Sequence, residues 1–524
     1  METRIEKIDR YQLDEQILKQ AGAILKQGGL VAFPTETVYG LGANALDENA
    51  AKKTYAAKGR PSDNPLIVHI ADVEDLPIVA RNISDKAKQI VERFWPGPLT
   101  LIFEKQYIVP FGTTGGLSTV AVRMPTDEIA RAVIRAGGGY ISAPSANTSG
   151  RPSPTSAQHV ADDLDGKIEM IIDGGTVDIG VESTILDMTV EPPMILRPGA
   201  ITKEMIEEVI GEITVDQALL SDDANEAPKA PGMKYRHYAP EAQLIIVEGE
   251  TSEAVKAIKQ IAYEQTRLGY KVGIIATNET IDSYSTGVIK NIGSRSNENT
   301  IAKNLYKVLR EFDEEDVSYI YSEAFEADGI GYAIMNRLEK AAGHHTIQAS
   351  SITRLQKYRR ILFVSNADST RGPMAAELLR HTDLLQEYRI GSRGLVVLFP
   401  EPANQKAEAI MRSKQMTLAS HEATPLTEED LDDETLVLTF EEAQKWKIVA
   451  NYENVKNVHT LSEYIDDERV VESSMGQPLQ VYGSNFELLQ ELILKLAETL
   501  NDEYEAKIME LMEKWEQLME ASEE

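Results

Sequence analysis

The stretch that decides the fold of this chain is Leu30-Val-Ala-Phe33-Pro-Thr-Glu-Thr-Val-Tyr-Gly-Leu-Gly42. Its first four residues form a short apolar run closed by Pro34, which predicts a buried strand that enters a functional turn. A helical pattern over residues 11–27 precedes the run and ends at Gly28-Gly29. The glycines at positions 40 and 42 permit a close approach of backbone to its neighbours.

Similar strand and helix patterns continue beyond this stretch. Their mixture predicts an open α/β domain over residues 1–213. Helical patterns cover 84–94 and 126–136. Further apolar runs predict strands at 66–70, 99–103, 119–123, 170–173 and 184–187.

Two more α/β units follow in the sequence. The first is a small domain over residues 241–350, with a helical pattern near 252–268. The second is a doubly wound unit over residues 358–524, in which a strand and a polar loop precede a helix from about residue 373. Its far end, residues 486–520, is a long acidic helical region. The strands predicted in these two units lie at 244–248, 272–276 and 361–364.

Residues 214–240 connect the first two domains and end in Ala230-Pro-Gly-Met-Lys-Tyr-Arg-His-Tyr-Ala-Pro240. A plain connector rarely carries Lys, Arg, His and two Tyr between prolines. We interpret the segment as a lid that returns to a site, with an inert connector as the alternative. Tyr235 is accordingly either a lid contact or a residue of linker packing.

The composition excludes several classes of protein. Among 524 residues, 42% are hydrophobic, and no apolar run approaches the roughly 20 residues of a membrane helix. The charged start, Met1-Glu-Thr-Arg4, is unlike a secretory signal. The absence of cysteine excludes disulfides, thiolate metal clusters and cysteine nucleophiles. We therefore expect a cytoplasmic protein without membrane contact.

The net charge of −31 is distributed as −6 over residues 1–200, −10 over 201–350 and −15 over 351–524. An acidic surface repels phosphate backbones and lacks the basic face of a nucleic-acid binder. We therefore expect any contact with nucleic acid to be indirect or weak.

Two pairs of polar residues, each spaced two apart, predict an anion site. Lys58 and Arg60 can bracket an anionic group from one side, while Ser145 and Asn147 complete its hydrogen bonds from another. This arrangement suits a polyphosphate, although the chain has no G-x-x-x-x-G-K-[ST] loop. As alternatives, Lys58 can be a cation at a helix C-terminus that interacts favourably with the helix dipole, and Ser145 and Asn147 can be turn residues.

Residues 10–350 resemble the long form of the YrdC-type threonylcarbamoyl-AMP synthases. Several motifs in the same order carry the resemblance. They are Phe33-Pro-Thr-Glu-Thr-Val-Tyr-Gly-Leu-Gly42, Lys58-Gly-Arg60-Pro, Asn64-Pro-Leu, Ser145-Ala-Asn147, Glu182-Ser-Thr184, Leu196-Arg197-Pro-Gly199 and the 231–240 segment.

The resemblance implies a nucleotidyltransferase that binds ATP, L-threonine and bicarbonate. Threonine and bicarbonate would give an N-carboxylate that attacks the α-phosphorus of ATP and releases pyrophosphate. The product, threonylcarbamoyl-adenylate, would serve tRNA threonylcarbamoyladenosine modification through a separate transferase. Mg²⁺ would accompany the nucleotide, without a metal site built by the protein.

The resemblance also assigns residues to roles. Displacement at phosphorus depends on positioning and on stabilising spread charge, which suits cations and hydrogen-bond donors. The implied catalytic residues are Lys58, Arg60, Ser145 and Asn147. The implied ATP contacts are Arg60, Asn64, Thr119, Asn147, Arg197 and Tyr235. The implied threonine contacts are Thr37, His69, Arg123, Ser145 and Ser183; for His69, simple packing in its strand is the alternative.

The C-terminal unit resembles the low-molecular-weight protein tyrosine phosphatases through Ser365-Asn-Ala-Asp368-Ser-Thr-Arg371-Gly-Pro-Met-Ala. Ser365 stands where that family has its cysteine, and a serine hydroxyl is not ionised near neutral pH without a base. Ser473-Ser474 stands in place of the Asp-Pro acid, Asp368 replaces an asparagine, and Gly372 replaces a serine. These four departures predict a unit without phosphatase activity, either an interaction module or, through Arg371, an anion binder.

Two other functions are alternatives to threonylcarbamoyl-AMP synthesis. An RNA-binding or scaffold module is the main alternative, which the distribution of charge disfavours. A carbamoyltransferase of hydrogenase maturation would require zinc-finger cysteines, and the chain has none.

Overall fold

The computed structural model describes residues 2–216, 238–353, 357–453 and 455–523. Tyr235 and most of the predicted lid, residues 217–237, lie outside the described residues. The chain divides into two compact units, Met1–Ser350 and Ser351–Glu524.

The larger sheet of the first unit is mixed and open, as predicted. Its strands are β1 (Arg4–Lys7), β2 (Val31–Phe33), β3 (Gly40–Asn44), β4 (Ile67–His69), β5 (Ala80–Arg81), β6 (Leu99–Lys105), β7 (Thr119–Arg123), β8 (Ile141–Ser142), β9 (Met170–Asp173), β10 (Thr184–Asp187), β11 (Met194–Arg197) and β12 (Thr214–Val215). They lie in the order β1-β9-β2-β3-β8-β4-β7-β6-β10-β11-β12, and β5 pairs with β6. Thus the first two residues of the predicted connector, Thr214 and Val215, belong to this sheet.

The expected turn after Phe33 is shorter than the sequence indicated. Gly40–Asn44 forms β3, antiparallel to β2, and Gly42 pairs with Val31. A Cβ on Gly42 would lie 2.6 Å from a ring carbon of Phe33. Glycine therefore lets this strand lie against the Phe33 ring, and the turn is confined to residues 34–39.

Helices cover both faces of this sheet and begin at polar caps. Asp14, for example, accepts hydrogen bonds from the first backbone amides of the first helix. The second helix ends at Lys58 because Gly59 adopts the left-handed conformation, with φ 62°. The helices are α1 (Glu15–Lys26), α2 (Glu48–Lys58), α3 (Leu76–Val79), α4 (Asp85–Phe94), α5 (Glu128–Gly137), α6 (Ala157–Leu164) and α7 (Lys203–Ile210).

The small domain of the first unit has a parallel sheet. Its strands are β13 (Gln243–Glu248), β14 (Val272–Thr277), β15 (Val288–Gly293), β16 (Tyr319–Glu323) and β17 (Thr346–Gln348), and its helices are α8 (Thr251–Arg267), α9 (Glu298–Glu315), α10 (Gly329–Ala342) and the short α11 (Ala349–Thr353). The strand order is β15-β14-β16-β13-β17. Its core is continuous with the larger domain, because Val38 and Val181 pack in one cluster with Leu305 of α9.

The second unit is a parallel sheet in the order β19-β18-β20-β21, formed by β18 (Arg360–Ser365), β19 (Arg389–Gly394), β20 (Thr435–Thr439) and β21 (Val458–Thr460). Its helices are α12 (Arg371–Arg380), α13 (Gln405–Ser413), α14 (Glu442–Asn451), α15 (Leu461–Tyr464) and α16 (Leu479–Glu523). The loop between β18 and α12 therefore leaves the carboxyl end of a central strand. Within the described parts of the chain, no helix combines the length and apolarity of a membrane span.

Candidate active site

A pocket in the first unit collects most of the predicted site residues. His69 and Arg123 stand opposite each other in register at the carboxyl ends of the parallel strands β4 and β7. The carboxyl end of α2 and the loop after β8 form the other walls. The predicted residues that line the pocket are Lys58, Arg60, His69, Arg123, Ser145, Asn147, Ser183 and Arg197.

Three predicted residues do not line this pocket. Thr37 accepts a hydrogen bond from Arg123, and Asn64 accepts one from Arg60, so both contact it indirectly. Thr119 begins β7, four residues before Arg123, which separates the two Cα atoms by about 13 Å. Thr119 therefore lies at the opposite end of β7 from Arg123, and its contact with ATP stays a prediction.

Two cations of the pocket, Lys58 and Arg60, donate to neutral oxygens. The Lys58 ammonium, 2% exposed, donates to the carbonyls of Ser145 and Asn147, the latter at 2.5 Å. Burial, and then the charge of Arg60, lower the pKa of Lys58 well below its usual value. Arg60 donates to Oδ1 of Asn64 at 2.5 Å and to the carbonyl of Pro65 at 3.1 Å. Neither cation forms an ion pair with a carboxylate among the described residues.

The opposite end of the pocket combines a neutral histidine with an arginine. Nδ1 of His69 donates to the carbonyl of Ile67 at 3.1 Å, which leaves Nε2 as a hydrogen-bond acceptor. Burial, and then Arg123, lower the pKa of His69 to about 3, so the ring is neutral at pH 7. Arg123 donates to Oγ1 of Thr37 at 2.9 Å and lies 2.8 Å from Oε1 of Glu36.

A buried carboxylate, Glu182, forms another part of the wall. Burial raises the pKa of Glu182, but Arg337 and Arg197 outweigh burial and bring it to about 2. Next to it, Arg197 donates from Nε to the carbonyl of Ser183 at 3.1 Å and from Nη2 to its hydroxyl at 3.2 Å.

Glu36, Glu182 and Tyr238 have no predicted role, although each stands within a motif quoted for the resemblance. Glu182 and Tyr238 line the pocket, and Glu36 pairs with a residue that does. For Glu36 and Glu182, the signal that could have identified them is a charged residue inside an otherwise uncharged motif.

In the second unit, the phosphatase-like loop is occupied by internal contacts. Ser365 Oγ accepts a hydrogen bond from the amide of Asp368 at 3.2 Å. The Arg371 guanidinium donates to the carbonyl of Val471 and, at 2.7 Å, to Oε1 of Glu441. Asp368 has a φ of 52° and is buried, which raises the pKa of its carboxyl. Ser473 is exposed to solvent.

Comparison with known proteins identifies the family. The chain is 51% identical to the threonylcarbamoyl-AMP synthase of Pyrococcus abyssi over 339 residues, which are 65% of this chain and 98% of that protein. The chain belongs to the threonylcarbamoyl-AMP synthase family. The synthase of Bacillus subtilis is also 51% identical, over 65% of this chain and 97% of its own length. The RNA-binding alternative is not favoured by these relatives.

Three family models match successive parts of this chain. The model described as telomere recombination matches residues 23–199, and the threonylcarbamoyl-AMP synthase C-terminal domain matches residues 201–343. The low molecular weight phosphotyrosine protein phosphatase model matches residues 360–514. A crystal structure of P. abyssi Sua5 complexed with L-threonine, 49% identical, superposes with a TM-score of 0.63 and covers 66% of this chain and 99% of that one.

The pocket offers few oxygen ligands to a metal ion. Among the described residues, no cluster of three or more His, Asp or Glu side chains has metal-binding geometry. Glu182 faces the pocket, but its oxygens accept hydrogen bonds from Ser153, Tyr306 and Arg337. These residues fit an Mg²⁺ ion that is held by nucleotide phosphates and water rather than by a protein cage.

Proposed function

We propose that the chain condenses L-threonine, bicarbonate and ATP into threonylcarbamoyl-AMP and pyrophosphate. The observation that carries the proposal is that one pocket combines two regions of different chemistry. Lys58, Arg60 and Arg197 provide positive charge for phosphates, while His69 and Arg123 offer an acceptor and a cation for an amino acid. The relative crystallised with L-threonine supports the amino-acid end.

The proposed reaction proceeds in two steps. The amine of threonine forms a C–N bond with the carbon of bicarbonate, and water leaves. An oxygen of the resulting carboxylate then forms a bond to the α-phosphorus as the bond to the pyrophosphate oxygen breaks. Mg²⁺, when bound with ATP, would neutralise charge on the phosphates.

The residues of this chain position and stabilise these groups. Arg60 presents a planar cation to phosphate oxygens, and burial lowers its pKa only to about 10, so it is protonated at neutral pH. Lys58 donates hydrogen bonds to the carbonyls of Ser145 and Asn147 and so fixes the loop that would face the phosphates. Arg123 would bind the threonine carboxylate, and Nε2 of His69 would accept a hydrogen bond from threonine.

The test is pyrophosphate release from ATP, with L-threonine and bicarbonate each present or omitted. We expect release only when both are present. Lys58→Ala and Arg60→Ala should each lower the rate severely with the circular dichroism spectrum unchanged. Lys52→Ala is the matched control, because Lys52 lies on the same helix with its side chain 68% exposed. Release that needs neither substrate, or normal rates in both site variants, would refute the assignment.

The proposed product is an activated carbamoyl group, which requires an acceptor. We assign the transfer of this group to tRNA to a separate threonylcarbamoyl transferase, because the acidic surface of this chain disfavours direct tRNA binding. Adding such a transferase and tRNA to the reaction should yield modified adenosine. Omitting it should leave the tRNA unmodified.

For the C-terminal unit, we propose the absence of phosphatase activity. Besides lacking a thiolate, the loop has its arginine engaged by Glu441, and the buried Asp368 adds a carboxyl group where phosphate would approach. We expect no hydrolysis of p-nitrophenyl phosphate above the rate of an Arg371→Ala protein. Ser365→Cys should also remain inactive, since it restores only one of the lost groups. Turnover by the unmodified chain would refute this proposal.

A further inference from the structure

The Glu182 carboxylate joins the synthase pocket to the small domain. Its Oε1 accepts a hydrogen bond from Ser153 of the larger domain at 2.5 Å. Its Oε2 accepts from the hydroxyl of Tyr306 on α9 at 2.8 Å and from Nε of Arg337 on α10 at 3.1 Å. The carboxylate is therefore held from both domains, and both of its donors on Oε2 come from the small domain.

The two small-domain residues are completely enclosed. Arg337 is 1% exposed and Tyr306 is 0% exposed. Neither lines the pocket, so each can affect a substrate only through a neighbour. A buried carboxylate needs both a counter-charge and hydrogen-bond donors to stay ionised, and these two residues supply them.

Glu182 is placed to pass this restraint to the pocket wall. It directly precedes Ser183, whose carbonyl and hydroxyl both accept hydrogen bonds from Arg197. Val181, on its other side, packs in the small-domain core. A shift of Glu182 would therefore move Ser183 and, through it, the guanidinium of Arg197.

We propose that Tyr306 and Arg337 are positioning residues of the synthase site, which act through Glu182 on Ser183 and Arg197. The inference rests on the proposed function for its substrates. It gives the small domain a defined part in the reaction, namely to hold one wall of a pocket that lies in the other domain.

The charged groups around Glu182 give the proposal a distinctive pH signature. Arg337 comes from α10, Tyr306 from α9 and Arg197 from β11, while Lys58 and Tyr238 also act on the carboxylate or its partners. Removing the Arg337 charge should raise the pKa of Glu182, because burial then acts against fewer cations. In that variant, Glu182 would become protonated as the pH falls, and the hydrogen bonds that hold it in place would weaken.

The experiment measures ATP affinity by calorimetry from pH 5 to pH 8 on the full chain, alongside pyrophosphate release. Tyr306→Phe should weaken ATP binding about tenfold, a loss worth about 1.4 kcal/mol. Arg337→Met should weaken ATP binding more strongly at pH 5 than at pH 8. Arg337→Lys, which keeps the positive charge, should retain most of the affinity. The matched control is Tyr284→Phe, which removes a 2.8 Å hydrogen bond to another buried carboxylate, Glu323, within the small domain.

The outcomes separate this inference from the proposed function. Failure of the unmodified chain to release pyrophosphate would refute the function, while ATP affinity would still report on the wall of the pocket. Equal affinities in Tyr306→Phe and Tyr284→Phe, with no pH-dependent loss in Arg337→Met, would overturn the positioning role. Equal thermal stability of the two tyrosine variants, together with a loss of affinity in Tyr306→Phe alone, would support it.

Discussion

Replacing Glu182 with glutamine should destabilise the first unit by an amount that depends on pH. The pKa of Glu182 is lowered from 4.5 to about 2 in the folded chain, because Arg337 and Arg197 outweigh the effect of burial. A lowered carboxylate pKa contributes stability that is fully present above pH 4.5 and is lost as the pH falls through 2. At about 1.4 kcal/mol per pKa unit, the contribution is roughly 3 kcal/mol at pH 7 and about 1.5 kcal/mol at pH 3.

The assay is urea unfolding followed by tryptophan fluorescence. Of the three tryptophans, Trp95 belongs to the first unit, so a Trp446→Phe/Trp515→Phe background makes the signal specific to that unit. Glu182→Gln should lower the free energy of unfolding at pH 7 about twice as much as at pH 3. Glu191→Gln is the control, because Glu191 pairs with Lys86 at the surface with its side chain 74% exposed. A loss below 1 kcal/mol at pH 7, or an equal loss at both pH values, would refute the reasoning.

Two further predictions use the same Trp95 signal. Arg310→Met should lower the free energy of unfolding by about 3–5 kcal/mol, since it leaves the fully buried carboxylate of Asp163 without its bidentate partner. The control is Lys307→Met, on the exposed side of the same helix, which should change the free energy of unfolding by less than about 0.5 kcal/mol. Gly59→Ala should lower it by about 1–2 kcal/mol, because no atom lies within 4 Å of the added methyl group and the left-handed φ of 62° alone opposes it. A Gly59→Ala protein as stable as the unmodified chain would contradict the assigned role of that backbone conformation.

Local patterns in the sequence were sufficient to predict most of the helices and strands. The run before Pro34 and the run at 361–364 became β2 and β18, and the long acidic helix became α16. Each of these elements is specified by periodicity and turn residues that are close in sequence. Gly40–Asn44 was missed as a strand because its two glycines resemble a turn until the Phe33 ring beside them is known.

The site was predictable in its cations but not in its supporting contacts. Spacing and resemblance identified Lys58 and Arg60, which lie on one short segment. The pairing of Glu182 with Arg337 joins residues 155 positions apart, and no local pattern specifies it. The same is true of Glu441, which engages Arg371 from another loop.

The neutral partners of Lys58 and Arg60 have a consequence for the kinetics of nucleotide capture. Their charges are not cancelled by carboxylates, whereas the chain as a whole carries −31. An approaching nucleotide anion therefore meets repulsion at long range and attraction only within the pocket. Salt screens the long-range part first, with a screening length of about 10 Å at 0.1 M. The association rate constant of ATP should consequently rise with ionic strength, opposite to the behaviour of an enzyme that steers its substrate by an oppositely charged surface.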